Sequence, residues 1–130
     1  MSSSQPPEVK RLIEALNAME DAAAANAARS LEVQRRTRGL RQKLQRGAPP
    51  ADVVQNEDRP RTVELLSANM ETLETAGAEL RAAQALALRA DGMTIAAIAD
   101  LFGVTRQRIS ALLRQKAAGT AQTGRAGRLA

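Results

Sequence analysis

The sequence predicts an all-α protein in which a long helical hairpin or coiled coil is followed by a C-terminal helix-turn-helix. Residue types that favour helices dominate the 130 residues, and the chain has one phenylalanine but neither tryptophan nor tyrosine. Apolar residues recur at steps of three and four along two long stretches, which is the period of a helical face. Glycine and proline separate these stretches from each other.

Residues 1–7 are polar and end in Pro6–Pro7, so we expect them to be disordered before a first long helix begins. The apolar stripe of that helix has the spacing of a coiled coil but is weak in its centre. The connection Gly47–Pro50 ends the helix. The stripe consists of Val9, Leu12, Leu16, Met19, Ala23, Asn26, Ser30, Val33, Thr37, Leu40 and Leu44.

A second long helix is expected to start near Pro60 and to end near Ala90, before Asp91–Gly92. Its stripe consists of Val63, Leu66, Met70, Leu73, Gly77, Leu80, Gln84 and Ala87. In an antiparallel hairpin, Leu44 would lie near Val63, Thr37 near Met70 and Ser30 near Gly77. Because small residues face each other there, we expect a second copy to complete the seam, in a four-helix bundle or in a coiled coil through the first helix.

Residues 95–114 have the pattern of a helix-turn-helix and read IAAIADLFGVTRQRISALLR. Gly103 can end the first helix in a left-handed conformation, and Thr105 can cap the second helix. The apolar set consists of Ile98, Ala99, Phe102, Val104, Ile109 and Leu112, with Leu113 at its edge. The preceding long helix is expected to pack on this motif through Leu80, Ala83, Leu86 and Ala87.

The burial of Ile109 and Leu112 determines which side chains of the last helix face outward. The residues expected to read bases are Thr105, Arg106, Gln107, Ser110 and Ala111. The residues expected to contact phosphates are Thr94, Arg108, Arg114 and Lys116. Arginine can contact guanine and glutamine can contact adenine through two hydrogen bonds each, and no acidic residue follows Asp100 to repel the phosphates.

The run DGMTIAAIADLFGVTRQRISALL resembles the helix-turn-helix of resolvase and invertase recombinases, and is similar to the last DNA-binding region of sigma factors. The shared pattern is a glycine before the entry threonine, a small residue, a turn glycine and a second helix that opens on Thr-Arg. The resemblance implies that Arg106, Gln107 and Ser110 occupy base-reading positions. It covers about a quarter of the chain, and the N-terminal helical region resembles no named family, so the resemblance favours DNA binding without specifying an activity.

The composition excludes several classes of function. The chain has no cysteine and no histidine, so we expect no metal site, no cofactor and no enzymatic activity. No apolar run approaches the length of a membrane span, and the N-terminus has no hydrophobic signal core. We therefore expect a cytoplasmic protein of the bacterial nucleoid that does not bind membranes.

A second basic segment lies at the end of the first long helix. Its charged residues are Arg35, Arg36, Arg38, Arg41, Lys43 and Arg46. They form either a second phosphate-binding surface or a solvated helix face that nearby glutamates partly neutralise. The last residues, 117–130, are expected to be a disordered basic tail, which is either inert or an arm for the minor groove.

These features predict four regions: disordered residues 1–7, a dimerisation region over 8–78, a DNA-binding domain over 79–116 and the tail. The main hypothesis is a homodimeric transcription regulator that binds specific sequences in double-stranded DNA, with residues 105–116 in the major groove. One alternative is a nucleoid-associated or phage architectural protein with low sequence specificity. Another is an adaptor that contacts RNA polymerase or a sigma factor.

Overall fold

A computed structural model describes residues 5–114, which form helices joined by short turns and contain no strand within that range. The helices are α1 (Pro7–Gln45), α2 (Pro50–Gln55), α3 (Thr62–Ala90), α4 (Ile95–Phe102) and α5, which is described over residues 106–114. The prediction of an all-α fold with a C-terminal helix-turn-helix is confirmed. The sequence-based assignment placed no element in the connection after Gly47, and α2 lies within it.

The chain divides into two compact units, and both α1 and α3 contribute to each of them. Among the described residues, unit 1 contains 5–17 and 77–114, and unit 2 contains 18–76. The sequence-based division instead assigned all of 8–78 to one region. Unit 1 therefore combines the first part of α1 with the end of α3 and the helix-turn-helix, so the compact units do not follow the order of the chain.

The core of unit 1 holds the helix-turn-helix together. Ile98 and Ile109 are its largest fully buried side chains, and each has no exposed surface. Ala82, Ala85, Ala99 and Leu112 complete the cluster of buried residues. Partly buried side chains pack around it, namely Leu88, Met93, Ile95, Phe102 and Leu113. The predicted apolar set is confirmed except for Val104, which the turn after Gly103 leaves 40% exposed.

The face of α3 that packs on the helix-turn-helix differs from the predicted one. Ala82 and Ala85 belong to the buried cluster and Leu88 packs against it, whereas Ala83 is buried outside that cluster. The contact face is therefore rotated by about one residue from the predicted face. Alanines occur on several faces of this part of α3, so residue type alone did not identify the face in contact.

Unit 2 is an antiparallel helix pair with a largely polar seam. Asn26 is only 9% exposed, and its Nδ2 donates to the backbone oxygen of Asn69 at 3.1 Å. Arg29 donates from Nη1 to Asn69 Oδ1 and to Thr72 Oγ1, both at 3.3 Å. Because no buried side-chain nitrogen or oxygen among the described residues lacks a partner, this seam is satisfied as well as polar.

The register of this pair is shifted from the predicted one. Asn69 Nδ2 donates to Ser30 Oγ at 3.4 Å, so Ser30 lies beside Asn69 and not beside Gly77. The shift is about two helical turns. The cause is the connection, since α2 occupies part of it and buries Val53, which is 5% exposed. The length and folding of a connection set the register of a helical hairpin, and the apolar spacing alone does not.

Arg36 and Glu57 fasten the connection to α1 and α3. Arg36 donates to the backbone oxygens of Asp58 and Pro60 at 2.7 and 2.6 Å, and its Nη1 lies 3.6 Å from Glu57 Oε2. Glu57 Oε2 accepts from the backbone N–H of Thr62 at 2.7 Å and from the Thr62 hydroxyl. The carboxylate therefore caps the N-terminus of α3, where unpaired N–H groups and the helix dipole favour a negative charge.

The largest aliphatic side chains of the first half of α3 point away from this seam. The exposed fractions are 65% for Val63, 45% for Leu66, 73% for Met70 and 45% for Leu73. We call these four residues the outer stripe. The sequence-based assignment of the outer stripe to the contact with α1 is wrong, because the residues buried on α3 in unit 2 are Thr62, Leu65 and Ala76.

Unit 2 is expected to lose stability in acid. Hydrogen bonds from Arg35 and Arg36 lower the pKa of Glu32 from 4.5 to about 2. Burial alone would raise the pKa of Glu57, but the bonds from Thr62 and the charge of Arg36 outweigh it and lower that pKa. A carboxylate with a lowered folded-state pKa stabilises the fold above its unfolded-state pKa, and the contribution is lost as the pH falls through the folded value.

Urea unfolding followed by circular dichroism at a series of pH values from 6 down to about 2 tests this expectation. The free energy of unfolding should fall progressively below the ordinary glutamate pKa of 4.5. A variant that combines Glu32→Gln and Glu57→Gln should be less stable at neutral pH and show a shallower fall. If the free energy of unfolding fell with pH equally steeply in both proteins, Glu32 and Glu57 would not be the cause of the acid sensitivity.

Candidate nucleic-acid interface

The turn between α4 and α5 fixes the direction in which α5 leaves the core. Gly103 ends α4 with φ 69° and ψ 35°, a left-handed conformation that glycine adopts without a clash from a Cβ atom. Its N–H and that of Val104 donate to backbone oxygens of the last turn of α4, the latter to Ala99 at 3.0 Å. The predicted left-handed glycine is therefore confirmed.

Both helices of the motif begin on a threonine cap. Thr94 Oγ1 accepts from the N–H of Ala97 at 3.1 Å, and Thr105 Oγ1 accepts from the N–H of Arg108 at 3.1 Å. The predicted cap of Thr105 on α5 is confirmed. These hydroxyls satisfy N–H groups at the helix ends, and each hydroxyl keeps its own hydrogen to donate to an oxygen atom outside the protein.

α5 presents a polar and basic side opposite its buried side. Ile109 and Leu112 face the core, whereas Arg106, Gln107 and Arg108 are exposed. Arg114 is exposed too, and it is the last residue that the structure describes. The side chains of Arg106 and Gln107 can therefore extend from the protein to a base edge, and those of Arg108 and Arg114 to a phosphate.

The remaining residues of the predicted site differ in exposure, and one lies outside the described residues. Ser110 and Ala111 are half-buried, and Thr105 is exposed at the tip of the motif. Helical spacing places Arg106, Ser110 and Arg114 along one line, with Gln107 and Ala111 beside it. Lys116 and the predicted tail 117–130 lie outside the described residues. The geometry thus brings the base-reading residues onto one side of α5, while their contacts with DNA stay a prediction.

The second basic segment divides into two groups. Arg36 is 13% exposed at its side chain and serves the connection, and both Arg35 and Arg36 pair with Glu32, the Arg36 contact being 2.7 Å. Arg38, Arg41, Lys43 and Arg46 are exposed. These four of the six basic residues in the segment are exposed and do not pair with Glu32, so their side chains can reach a polyanion.

The comparisons with known proteins bear on the C-terminal part of the chain. A family model described as a homeodomain-like domain matches residues 77–123. The matched segment contains the end of α3, the α4–α5 motif and every predicted base-reading residue, and it supports DNA binding as the general function of this region. No curated protein and no solved structure shows significant similarity to the chain. The finer resemblance to recombinases and sigma factors is not tested by this match.

Neither a metal centre nor a membrane span is found within residues 5–114. No group of three or more acidic, histidine or cysteine residues in that range is arranged to hold a metal ion. No helix in the same range is both long and apolar enough to cross a membrane.

Sequence reasoning missed two sets of residues with structural or functional weight. Arg29 joins α1 to α3 in the seam of unit 2, although a charged residue beside the weak centre of an apolar stripe gives no clear signal of that role. The outer stripe was recognised as periodic but assigned to the wrong neighbour. The sequence does contain a warning of this error, because Leu65, Asn69 and Thr72 form a second line on α3 with the same spacing, one position before the outer stripe.

Proposed function

We propose that this protein is a homodimeric transcription regulator that binds specific sequences in double-stranded DNA. The observation that carries the proposal is the exposed Arg106–Gln107 pair on a capped helix whose opposite side is fixed by Ile109 and Leu112. A helix presented in this way can enter the major groove with its N-terminal turn against the base edges. Thr105, Ser110 and Ala111 would complete the reading surface.

Phosphate contacts would orient α5 on the duplex. We assign them to Thr94, Arg108, Arg114 and Lys116, with the exposed residues of the second basic segment as an additional surface. The helices before residue 79 would act as the dimerisation region and hold two copies of α5 at a fixed separation. Half-sites about 34 Å apart, or a multiple of that distance, follow from such two-fold symmetry. A protein with this role would reside with the nucleoid in the cytoplasm.

Substitution of Arg106 tests the base-reading assignment. We expect Arg106→Ala to weaken specific binding by about 1–3 kcal/mol and to relax the preference at one base pair, since two hydrogen bonds to a base are lost. The matched variant Arg108→Ala removes the same charge from the same helix. It should weaken binding to all sequences equally and reduce the salt slope by about one. Gel-shift titrations of genomic fragments at two salt concentrations measure both quantities.

The same titrations separate the proposed function from its two competitors. Equal affinity for all fragments, with a steep salt slope and a strong loss on neutralising Arg38, Arg41, Lys43 and Arg46, would indicate a low-specificity architectural protein. The exposure of those four residues is what favours this second candidate. No binding to duplex DNA, together with capture of RNA polymerase or a sigma factor by the purified chain, would indicate an adaptor. Unchanged binding by Arg106→Ala would refute the assigned face of α5.

A further inference from the structure

The outer stripe of α3 is an apolar surface that unit 2 leaves uncovered. Val63, Leu66, Met70 and Leu73 are spaced by three, four and three residues, so they form one line along the helix. Each is at least 45% exposed, while Asn26, Arg29, Asn69 and Thr72 form the seam inside the unit. Contiguous exposed apolar residues with polar neighbours are typical of surfaces that bind another protein.

We propose that the outer stripe is the interface between two copies of this chain, with the two α3 helices packed antiparallel about a two-fold axis near residue 68. The proposal rests on the homodimer of the proposed function and assigns its contact surface. A coiled coil through α1 would instead leave the four side chains of the outer stripe in water.

The spacing of the outer stripe suits a contact with itself. In a two-fold interface the same surface is used by both copies, so a residue i that contacts residue j of the other copy is matched by j contacting i. When α3 packs antiparallel around residue 68, Val63 lies level with Leu73 of the second copy, and Leu66 lies level with Met70 of the second copy. All four large side chains then meet large apolar side chains, and none is placed opposite a charge.

The charges at the two ends of the outer stripe favour the same orientation. Arg59 precedes α3 with 71% of its side chain exposed, and its contact with Glu64 is a loose 3.8 Å. Glu74 directly follows Leu73 and is exposed. In the antiparallel arrangement Glu74 of the second copy lies level with the start of α3, which Arg59 precedes, whereas a parallel arrangement would bring like charges together.

The area of the outer stripe predicts a weak dimer. Four aliphatic side chains with these exposures amount to a patch of a few hundred Å² per copy, the size at which patches on soluble proteins are often functional. From these four side chains alone two copies would bury less than the roughly 1,000 Å² in total at which stable specific interfaces begin, which is the size of a weak interface. The dimer should therefore dissociate on dilution, and its population should depend on protein concentration.

Cysteine cross-linking tests the orientation directly, because the natural chain contains no cysteine. Full-length Val63→Cys and Leu73→Cys chains, one carrying a mass tag, are mixed and oxidised. We expect a disulfide-linked heterodimer at least tenfold more abundant than the cross-linked product of either chain alone, since only residues 63 and 73 of different copies come within disulfide reach. A mixture of Glu64→Cys and Glu71→Cys chains is the control, at the same level of α3 but off the outer stripe.

Charge reversal gives a second, independent readout. Arg59→Glu and Glu74→Arg should each raise the dimer dissociation constant about two- to fivefold, and the double variant should restore it. Light scattering over a concentration series measures this constant in the unmodified chain and in the three variants. Restoration requires that the two residues face each other between copies, because a merely local effect of each change would add in the double variant.

The outcomes distinguish this interface from the dimer in general. Cross-linking of Val63→Cys to itself would show a parallel contact and overturn the antiparallel assignment. A dimer in light scattering that gives no 63–73 cross-link above the control would overturn the interface and leave the homodimer standing. A monomer at every concentration, also with DNA, would overturn both.

Discussion

Ile109→Ala is expected to lower the free energy of unfolding of unit 1 by about 3–4 kcal/mol. Ile109 has no exposed surface and lies in the buried cluster beside Ile98 and Leu112. Its truncation removes three methyl or methylene carbons and leaves a cavity between helices. Half of the cluster consists of alanines, namely Ala82, Ala85 and Ala99, which have no longer side chain with which to fill that cavity.

The loss is large relative to what such a core can supply. Typical domains are stable by about 5–15 kcal/mol, and a core with two fully buried large side chains belongs at the lower end of that range. We therefore expect Ile109→Ala to be partly unfolded at 37 °C and to lose DNA binding, because α5 is no longer held in one orientation. Arg106→Ala, in contrast, should lose affinity without any change in thermal unfolding.

Leu101→Ala is the matched control for this prediction. It removes a comparable aliphatic side chain from α4, but Leu101 is 65% exposed, so the free energy of unfolding should fall by less than about 1 kcal/mol. Thermal and urea unfolding of both variants, followed by circular dichroism, make the comparison. Equal destabilisation by the two changes would refute the assigned core of unit 1.

The helix-turn-helix could be predicted from the sequence because its signals are local. Gly103 and Thr105 act on backbone groups within five residues of themselves, through a left-handed turn and a helix cap. The cap of Thr94 is equally local, although the sequence-based prediction assigned Thr94 only to a phosphate contact. Such interactions do not depend on which distant segment packs nearby. The same reasoning identified Ile98 and Ile109 as core residues, since the motif needs apolar residues at those positions on either side of its turn.

The packing of α3 could not be predicted in the same way. Two lines of residues along the helix have the same three-and-four spacing, one containing Leu65, Asn69 and Thr72 and the other containing the outer stripe. The second line is more apolar, so hydrophobicity assigned it to the contact with α1. The structure turns the first line toward α1, where the side chains of Asn69 and Thr72 accept hydrogen bonds from Arg29, bonds that aliphatic side chains could not accept.

The connection between the long helices also determines the register of the hairpin, which the spacing of apolar residues along the helices does not reveal. Pro49–Pro50 suggests a break in the chain, but Pro50 opens α2, where its missing N–H group costs nothing. Val53 is the buried residue of α2, so the connection packs on the protein through this side chain and does not form an extended loop. The hairpin register then follows from Glu57 and Arg36, which hold the end of the connection in place.

Those two residues carry the second large effect. We expect Glu57→Ala to lower the free energy of unfolding of unit 2 by about 2–3 kcal/mol. The Glu57 side chain is 9% exposed and the Arg36 side chain 13%, so removal of the carboxylate leaves a poorly hydrated guanidinium without its acidic partner across the connection. It also removes the acceptor for the N–H and hydroxyl groups of Thr62 at the start of α3.

Asp58→Ala removes the neighbouring carboxylate and serves as the control. Asp58 is exposed, and it is its backbone oxygen that accepts from Arg36 at 2.7 Å, a contact that alanine retains. The free energy of unfolding of the Asp58→Ala variant should therefore differ from that of the unmodified protein by less than about 0.5 kcal/mol. Glu57→Gln should be intermediate, because the amide oxygen can still accept from Thr62 while the attraction to Arg36 is lost. Urea unfolding of the three variants checks this order, and an Asp58→Ala protein as unstable as Glu57→Ala would mean that the charge of the connection, and not the Glu57 cap, stabilises unit 2.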